Sequence, residues 1–234
     1  MTKKIAIMQP YFFPYIGYWQ LMNAVDEYVI YDDVNYIKNG WINRNNILLN
    51  GNKYLITLPL DKASPFQLIN QVRITSNDNF KHKMLRTIEQ AYKKAPYFDK
   101  IFPIIQTVIM EESCLISQAL TKQFNLVNNY LGIKTKLLIS SELKKDNELK
   151  SQDKVIHICK LLKGTNYINA IGGQELYSKE IFEKEGIKLN FIKTNEIIYP
   201  QFKNDFIPNL SIIDLMMFNS KEAIREMLDR YELL

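Results

Sequence analysis

The fold is decided by residues 4–33, KIAIMQPYFFPYIGYWQLMNAVDEYVIYDD. The apolar run Lys4–Met8 is typical of a buried strand, and two prolines within residues 9–15 exclude a helix from the loop that follows. The apolar side chains of residues 16–25 have the spacing of an amphipathic helix, and residues 28–31 predict a second buried strand. The order strand, loop, helix, strand predicts the βαβ unit of a parallel sheet.

Strand and helix patterns alternate again in the second half of the chain, where Gly132, Gly164 and Gly186 each follow a predicted helix. This alternation predicts an α/β fold with a mostly parallel, doubly wound (Rossmann-like) sheet, helices on both faces and a helical C-terminus. Residues 1–234 are expected to form a single α/β domain, in which residues 61–132 are a mainly helical insertion or subdomain.

The composition is that of a globular chain, and it limits the class of protein. No apolar run is long enough to span a membrane, and the N-terminus has no signal-peptide pattern, so we expect a cytoplasmic protein. Cys114 and Cys159 lie far apart and are expected to be small buried residues in a reducing compartment. With only His82 and His157 beside them, a structural zinc site is not expected, and no metal ligands are assigned.

The net charge of +5 and the pI near 8.9 come from lysines that are scattered along the chain. One interpretation is that these lysines serve solubility alone. The other is that they attract anionic small molecules, such as nucleotides or nucleotide-linked sugars. No motif indicates nucleic acid, no membrane partner is expected, and a homodimer remains an open alternative.

In open α/β sheets, ligands bind outside the carboxyl ends of the strands, so the loop after the first predicted strand is the first candidate site. Gln9 offers a polar amide at the strand end, and Tyr11 and Phe13 offer ring faces for stacking on a base or a sugar. The start of the following helix favours a phosphate. The alternative is that the aromatic residues of this loop belong to the core.

Two further candidates follow predicted strands. Asp32 and Asp33 could bind Mg²⁺, hydrogen-bond a ribose or supply a general base, although such a pair is also common in a solvated turn. Gly172 and Gly173 stand at a strand-to-helix junction, where backbone N–H groups can approach a ligand.

Two clusters outside the predicted strand ends are also candidates. Residues 35–50 carry Asn-Gly turn signals, and within them Asn43, Arg44 and Asn45 could hold an anion or sugar hydroxyls. A capped surface turn is the alternative for this cluster. His82 opens a predicted helix and could act as an acid or a base, although a lone histidine is more often structural.

Three segments of the chain, 7–18 (IMQPYFFPYIGY), 31–34 (YDDV) and 41–45 (WINRN), resemble the WbqC-like family. The resemblance continues through 92–98 (YKKAPYF) and covers nearly the whole chain. Members of this family are typically encoded among genes for O-antigen lipopolysaccharide and other surface polysaccharides, which implies a pathway rather than a reaction. The later matching positions that become candidates for substrate binding are Gln201, Ser211 and Asp214.

The first βαβ unit is also similar to the nucleotidyltransferase-like enzymes that carry a His-x-Gly-His motif. Those enzymes activate a carboxylate as an acyl-adenylate, which leaves ATP open as a cofactor. The corresponding segment here, FPYIG at residues 13–17, contains no histidine. The resemblance therefore extends to the fold and not to the adenylation motif.

These features together favour an enzyme, namely a transferase or an amide-forming ligase that modifies a nucleotide-linked amino sugar by acyl or aminoacyl transfer. The alternatives are a glycosyltransferase that depends on a divalent metal ion, and a non-catalytic binding or assembly protein of the same pathway. Replacing Asp33 or Arg44 by Ala is expected to abolish turnover and to leave the thermal midpoint within a few degrees. Catalytic roles are predicted for Asp32, Asp33, Arg44 and His82. Substrate-binding roles are predicted for Gln9, Tyr11, Phe13, Asn43, Asn45, Gly172, Gly173, Gln201, Ser211 and Asp214.

Overall fold

The computed structural model describes residues 2–112, 115–203 and 205–234. The strands are β1 (Lys4–Met8), β2 (Glu27–Ile30), β3 (Arg44–Leu49), β4 (Asn52–Thr57), β5 (Leu60–Asp61), β6 (Arg73–Ile74), β7 (Lys136–Ile139), β8 (Asn166–Ala170), β9 (Lys188–Thr194) and β10 (Tyr231–Leu233). The α-helices are α1 (Ile16–Asn23), α2 (Asp78–Tyr92), α3 (Phe98–Ile109), α4 (Ile116–Leu131), α5 (Ser151–Leu161), α6 (Lys179–Lys184), α7 (Ile212–Phe218) and α8 (Lys221–Leu228). Short 3-10 helices occupy Ile69–Gln71, Ser140–Glu142 and Ile171–Leu176.

Within the described ranges, the main sheet has six strands in the order β10-β9-β8-β1-β2-β7. All neighbouring strands in it are parallel except β10, which pairs antiparallel with β9. The chain runs from β1 outward through β2 to β7, and then returns to the other side of β1 for β8 and β9. This is the doubly wound order, and it confirms the predicted fold class. After the C-terminal helices α7 and α8, the short edge strand β10 ends the described chain.

Helices cover both faces of the main sheet because successive strand residues point to opposite faces. On β2, Tyr28 and Ile30 belong to the larger core cluster, to which α1, α4, α7 and α8 contribute. Val29 belongs to the smaller cluster, in which it packs with residues of α5 and α6. Full burial of such side chains contributes roughly 1.5–3 kcal/mol each, which makes this alternation the main determinant of the register.

The segment between the first two strands and β7 contains a hairpin and three long helices. Strands β3 and β4 pair antiparallel in full register from Arg44 opposite Thr57 to Leu49 opposite Asn52. Residues 35–50 were expected to form turns, but β3 lies within them, because Ile47 and Leu48 are buried against the core. Helices α2, α3 and α4 lie in the segment 61–132. Its status as an insertion into a single domain stays a prediction.

Cys159 is buried, as expected, and burial raises the pKa of its thiol to about 12, so this thiol is inert at neutral pH. Cys114 lies outside the described residues. Among the helices that the structure describes, none has the length and apolar character needed to cross a membrane.

Candidate functional site

The carboxyl ends of the parallel strands meet at one edge of the main sheet, and several predicted site residues follow those ends. Gln9 follows β1, Asp32 and Asp33 follow β2, and Gly172 and Gly173 follow β8. Strands β1 and β8 are neighbours from which the chain winds in opposite directions, so they mark the topological switch point. A crevice outside this point is the usual ligand site of a doubly wound fold. The structure therefore brings these three predicted segments to one edge.

Asp32 and Asp33 lie on opposite faces of that edge. The carboxylate of Asp32 accepts hydrogen bonds from the backbone N–H of Ser141 at 2.9 Å and from its hydroxyl at 2.7 Å. The carboxylate of Asp33 instead contacts Lys145 Nζ at 2.8 Å and Lys154 Nζ at 3.0 Å. The two adjacent carboxylates therefore point to different partners.

The separation of the two carboxylates affects the prediction that Asp32 and Asp33 could bind one divalent metal ion. Two carboxylates that chelate one ion must both face it at about 2–2.6 Å, whereas these two face different partners on different faces. Over the described part of the chain, no group of three or more histidine, cysteine, aspartate or glutamate side chains is placed to hold a metal ion. The geometry therefore does not favour Asp32 and Asp33 as a shared metal site.

Asp33, Lys145 and Lys154 form a buried cluster, here called the lysine cluster. The exposed fraction of the side chain is 1% for Lys145 and 9% for both Asp33 and Lys154. The ammonium group of Lys154 also lies 5.5 Å from the centroid of the Tyr31 ring. One carboxylate balances two ammonium groups, which leaves one surplus positive charge among the described partners. Such a charge in a low-dielectric environment produces a strong field for an anion.

The lysine cluster sets the charge state of Asp33. Burial by itself raises the pKa of this carboxyl, but hydrogen bonds from Lys145, Ser140 and Lys154 and the charge of Lys145 outweigh it and hold the pKa below its ordinary value of 3.8. A carboxylate with a lowered pKa is a weak proton acceptor. The geometry thus favours Asp33 as the residue that holds the two lysines over its predicted role as a general base.

Because the pKa of Asp33 is lowered, the free energy of unfolding is expected to depend on pH in the acid range. Because the folded-state pKa of Asp33 is lowered, its contribution is present above the unfolded value of 3.8 and is lost as the pH falls through the folded value. We expect the difference in unfolding free energy between wild type and Asp33→Asn to shrink below about pH 4. Urea unfolding of both proteins between pH 6 and pH 3 measures it. A difference that stays constant with pH would contradict an ionised Asp33.

The region outside the ends of β1, β2 and β8, here called the switch-point crevice, is bordered by Gln9, Tyr31, Gly172 and the lysine cluster. Gln9 is half-buried, and its side-chain amide makes no hydrogen bond within the part of the chain that is described. A Cβ added to Gly172 would meet no atom within 4 Å, whereas one added to Gly173 would lie 2.6 Å from Asn169 Nδ2. A side chain at position 173 would therefore displace the Asn169 amide, whereas position 172 faces open space.

The aromatic loop after β1 is largely part of the core. Phe13 is fully buried, and its φ of 39° lies in the left-handed region, which costs a non-glycine residue about 1–2 kcal/mol. Its N–H donates to Gln123 Oε1 at 2.7 Å, and its carbonyl accepts from Ser211 Oγ at 2.7 Å and from Asn45 Nδ2 at 2.9 Å. These contacts hold the strained turn in place. Phe13, Asn45 and Ser211 thus support the loop from inside the core and do not line its surface.

The first turn of α1 is covered as well. Ile16 and Gly17 are buried, so the start of this helix does not present open N–H groups to a phosphate as expected from the sequence. Tyr11 is half-buried and packs against Tyr18 with ring centroids 5.0 Å apart. The hydroxyl of Tyr18 in turn donates to the Gln9 carbonyl at 2.9 Å. Tyr18 therefore helps to hold Gln9 in position, and packing leaves little of the aromatic ring faces of this loop open to a ligand.

Asn43, Arg44 and His82 lie on elements outside the main sheet. The Asn43 amide is buried, accepts from the Tyr36 hydroxyl at 2.9 Å and donates to the Leu58 carbonyl at 2.8 Å. The Arg44 guanidinium donates to the backbone carbonyls of residues 39 and 40. His82 is exposed on α2, which packs on α3 and β3. The printed partners of Asn43 and Arg44 lie within residues 36–58, and the same segment meets the loop after β1, where the Phe12 N–H donates to the Trp41 carbonyl at 2.9 Å.

Gln201 and Asp214 belong to a buried hydrogen-bond network. The Asp214 carboxylate accepts from the hydroxyls of Tyr92 and Tyr199 at 2.8 Å each, and from Gln201 Nε2 at 2.7 Å. The Tyr92 hydroxyl also accepts from the Leu48 N–H at 2.8 Å, which ties the network to the hairpin. Burial raises the pKa of Asp214 despite these hydrogen bonds. The contacts connect α2, α7 and β3 inside the molecule.

Sequence reasoning missed both lysines of the lysine cluster. Lys154 stands four residues before Ile158 and directly before Val155, both buried, so its place on the apolar face of α5 was a usable signal. Lys145 follows Lys144 in a charged segment and has no such signal. Its side chain becomes buried only through contact with Asp33, which is remote in sequence.

The model of the WbqC-like protein family matches residues 9–226 of the chain. A protein of Mycobacterium tuberculosis, described as uncharacterized protein Rv1507c, is 30% identical over 226 residues, which cover 94% of this chain and 96% of that protein. No solved structure gives a significant match. The description of the mycobacterial relative names no activity, so the site geometry carries the functional argument.

Proposed function

Because the chain belongs to the WbqC-like protein family, we propose that it is a transferase or amide-forming ligase that modifies a nucleotide-linked amino sugar by acyl or aminoacyl transfer. The pathway, surface-polysaccharide synthesis, follows from the family resemblance. The class of substrate is supported by one observation above all, the surplus positive charge of the lysine cluster beside the switch point. A nucleotide-linked sugar carries a pyrophosphate, which such a charge attracts.

In this proposal the described residues bind and orient the substrate. Lys145 and Lys154 attract the phosphate groups, and Asp33 holds both ammonium groups in place. The unpaired amide of Gln9 supplies a hydrogen bond, and the space at Gly172 admits the ligand backbone or sugar. The rate gain then comes mainly from positioning and from preorganised charge. ATP stays a prediction as the source of activation for the acyl group.

Exposed apolar side chains favour a second candidate, a binding or assembly protein. The exposed fractions are 48% for Ile37, 43% for Trp41 and 90% for Phe66. The backbone N–H of Tyr36 bonds the carbonyl of Gln67 at 2.9 Å, so Ile37 and Phe66 lie on adjacent loops. An exposed apolar group of this kind is typical of an interaction surface. Such a surface is also compatible with an enzyme that binds a partner protein. Measuring whether the chain binds a nucleotide-linked sugar distinguishes that enzyme from a non-catalytic binding or assembly protein.

Replacing Lys154 by Met is expected to weaken binding of the nucleotide-linked sugar about tenfold or more, because the loss of about 1.4 kcal/mol of attraction is tenfold in Kd. The fold should be retained, since Asp33 keeps Lys145 and the cluster becomes neutral. A thermal-shift screen of UDP-, dTDP- and GDP-linked sugars identifies the ligand, and calorimetry then gives the Kd of each variant.

The control for this experiment is Lys150→Met, which removes an exposed lysine just before α5. The control should bind as the wild type does. Equal affinity of Lys154→Met and wild type, or the absence of binding for every nucleotide-linked sugar tested, would contradict the proposed function.

A further inference from the structure

A second cavity lies on the other face of the sheet edge. It is a cleft of about 560 Å³ between α4, the 3-10 helix Ser140–Glu142 and the turn that contains Asn70. This volume is within the range of small-molecule sites, roughly 300–1,000 Å³. None of the residues of the lysine cluster lines it. The polar side chains that line it include Asp32, Asn70, Thr121, Asn125, Ser141 and Glu142.

The charge of this cleft is opposite to that of the switch-point crevice. Lys122, which also lines it, forms an ion pair with Glu111, so the charge of that lysine is balanced. Asp32 and Glu142 form no salt bridge within the described ranges, and the partner of the Asp32 carboxylate is the neutral Ser141. The two faces of one strand edge therefore present a surplus of positive charge on one side and of negative charge on the other.

The side chains that line the cleft offer hydrogen-bond acceptors, which suit a ligand that carries hydrogen-bond donors. Thr121 and Asn125 donate to main-chain carbonyls of α4, at 2.8 and 3.1 Å, which leaves their side-chain oxygens as acceptors toward the cleft. An N–H or O–H group of a ligand can donate to such oxygens.

From these observations we propose that the cleft binds the amine-bearing part of the substrate, a protonated amine on a hydroxyl-rich ring. The ammonium group lies near Glu142 and Asp32, and ring hydroxyls donate to Thr121 and Asn125. Asp32 and Asp33 are consecutive, so the phosphates on one face and the amine on the other are separated by the width of the sheet edge. Calling this ligand the amino sugar rests on the proposed function, whereas binding of an amine in the cleft does not.

The test uses NMR titration of the ¹⁵N-labelled full chain with glucosamine and with N-acetylglucosamine, which differ at one nitrogen: a charged amine in the first and a neutral, larger acetamide in the second. We expect glucosamine to shift the amide signals of Thr121 and Asn125, and to bind at least threefold more tightly than its N-acetyl derivative. Glu142→Gln should remove this preference because it removes a charge and keeps the side-chain shape. Glu142 is exposed, so the variant is expected to fold.

The matched control is Glu148→Gln, an exposed glutamate that does not line the cleft, and it should retain the preference. A parallel titration with UDP reports the crevice, and it should respond to Lys154→Met and not to Glu142→Gln. If neither sugar binds, or if the preference survives in Glu142→Gln, the cleft assignment is overturned. If glucosamine behaves as expected while UDP and the nucleotide-linked sugars fail to bind, the proposed function fails and the amine site stands.

Discussion

Replacing Asp214 by Ala is expected to lower the free energy of unfolding by about 3–5 kcal/mol. In the described structure its carboxylate is the acceptor for the hydroxyls of Tyr92 and Tyr199 and for the Gln201 amide, and all of these side chains are buried. Removing it leaves the two tyrosine hydroxyls without this acceptor, at about 1–3 kcal/mol each before relaxation, breaks one hydrogen bond of the Gln201 amide and opens a small cavity. At about 2–4 °C per kcal/mol for a chain of this length, the thermal midpoint should fall by roughly 8–15 °C.

Urea unfolding of Asp214→Ala and wild type at neutral pH measures this loss, with the exposed Asp205→Ala as the control. Asp214→Asn should lie between wild type and the Ala variant, because the amide oxygen still accepts from the tyrosines. Folded Asp214→Asn is expected to bind the nucleotide-linked sugar normally. An Ala variant as stable as wild type, or a stable Asn variant that has lost binding, would argue for a ligand-binding Asp214 and against a structural one.

Asp33→Ala is expected to destabilise the protein by about 3–5 kcal/mol, because it leaves two buried ammonium groups without their carboxylate. Lys145 is the more deeply buried of the two, with 1% of its side chain exposed, and carries most of this penalty. From the sequence alone, this variant was expected to keep its thermal midpoint within a few degrees. The structure changes that expectation because the partners of Asp33 are two largely buried lysines.

A double-mutant cycle tests the account. Lys145→Met in the Asp33→Ala background should recover at least half of the lost stability, since it removes an unpaired buried charge and keeps the volume of the side chain. Asp153→Ala, which removes an exposed aspartate from α5, serves as the control and should cost less than about 1 kcal/mol. If Asp33→Ala alone is as stable as the control, or if Lys145→Met adds a further loss, the lysine cluster is not the unit described here.

The two faces of the strand edge carry opposite charges, so each face suits a different part of a ligand. The switch-point crevice has the field that a phosphate requires, and the cleft beside α4 has the acceptors that an amine requires. A molecule that carries both groups, as a nucleotide-linked amino sugar does, fits that division. The division exists because two consecutive aspartates follow β2 and their carboxylates have partners on opposite faces.

The sequence by itself determined the strand and helix order, because hydrophobic periodicity and turn residues act locally on the backbone. It also placed Gln9, Asp32, Asp33 and the glycine pair at strand ends, which in a parallel sheet all meet at one edge. The aromatic loop was harder to interpret, since rings suited to stacking on a ligand are equally suited to a core, and packing placed Phe13 in the core.

Only the tertiary structure decided which polar side chains meet. Lys145 and Lys154 lie far from Asp33 in the chain, and the cleft combines residues of α4 with segments that follow β2 and β7. The local sequence indicates which residues are periodically buried, but not which residue pairs with a charged side chain. That partner is fixed by how helices pack across the sheet. The face that each aspartate occupies, and with it the sign of the charge on that face, follows from the fold.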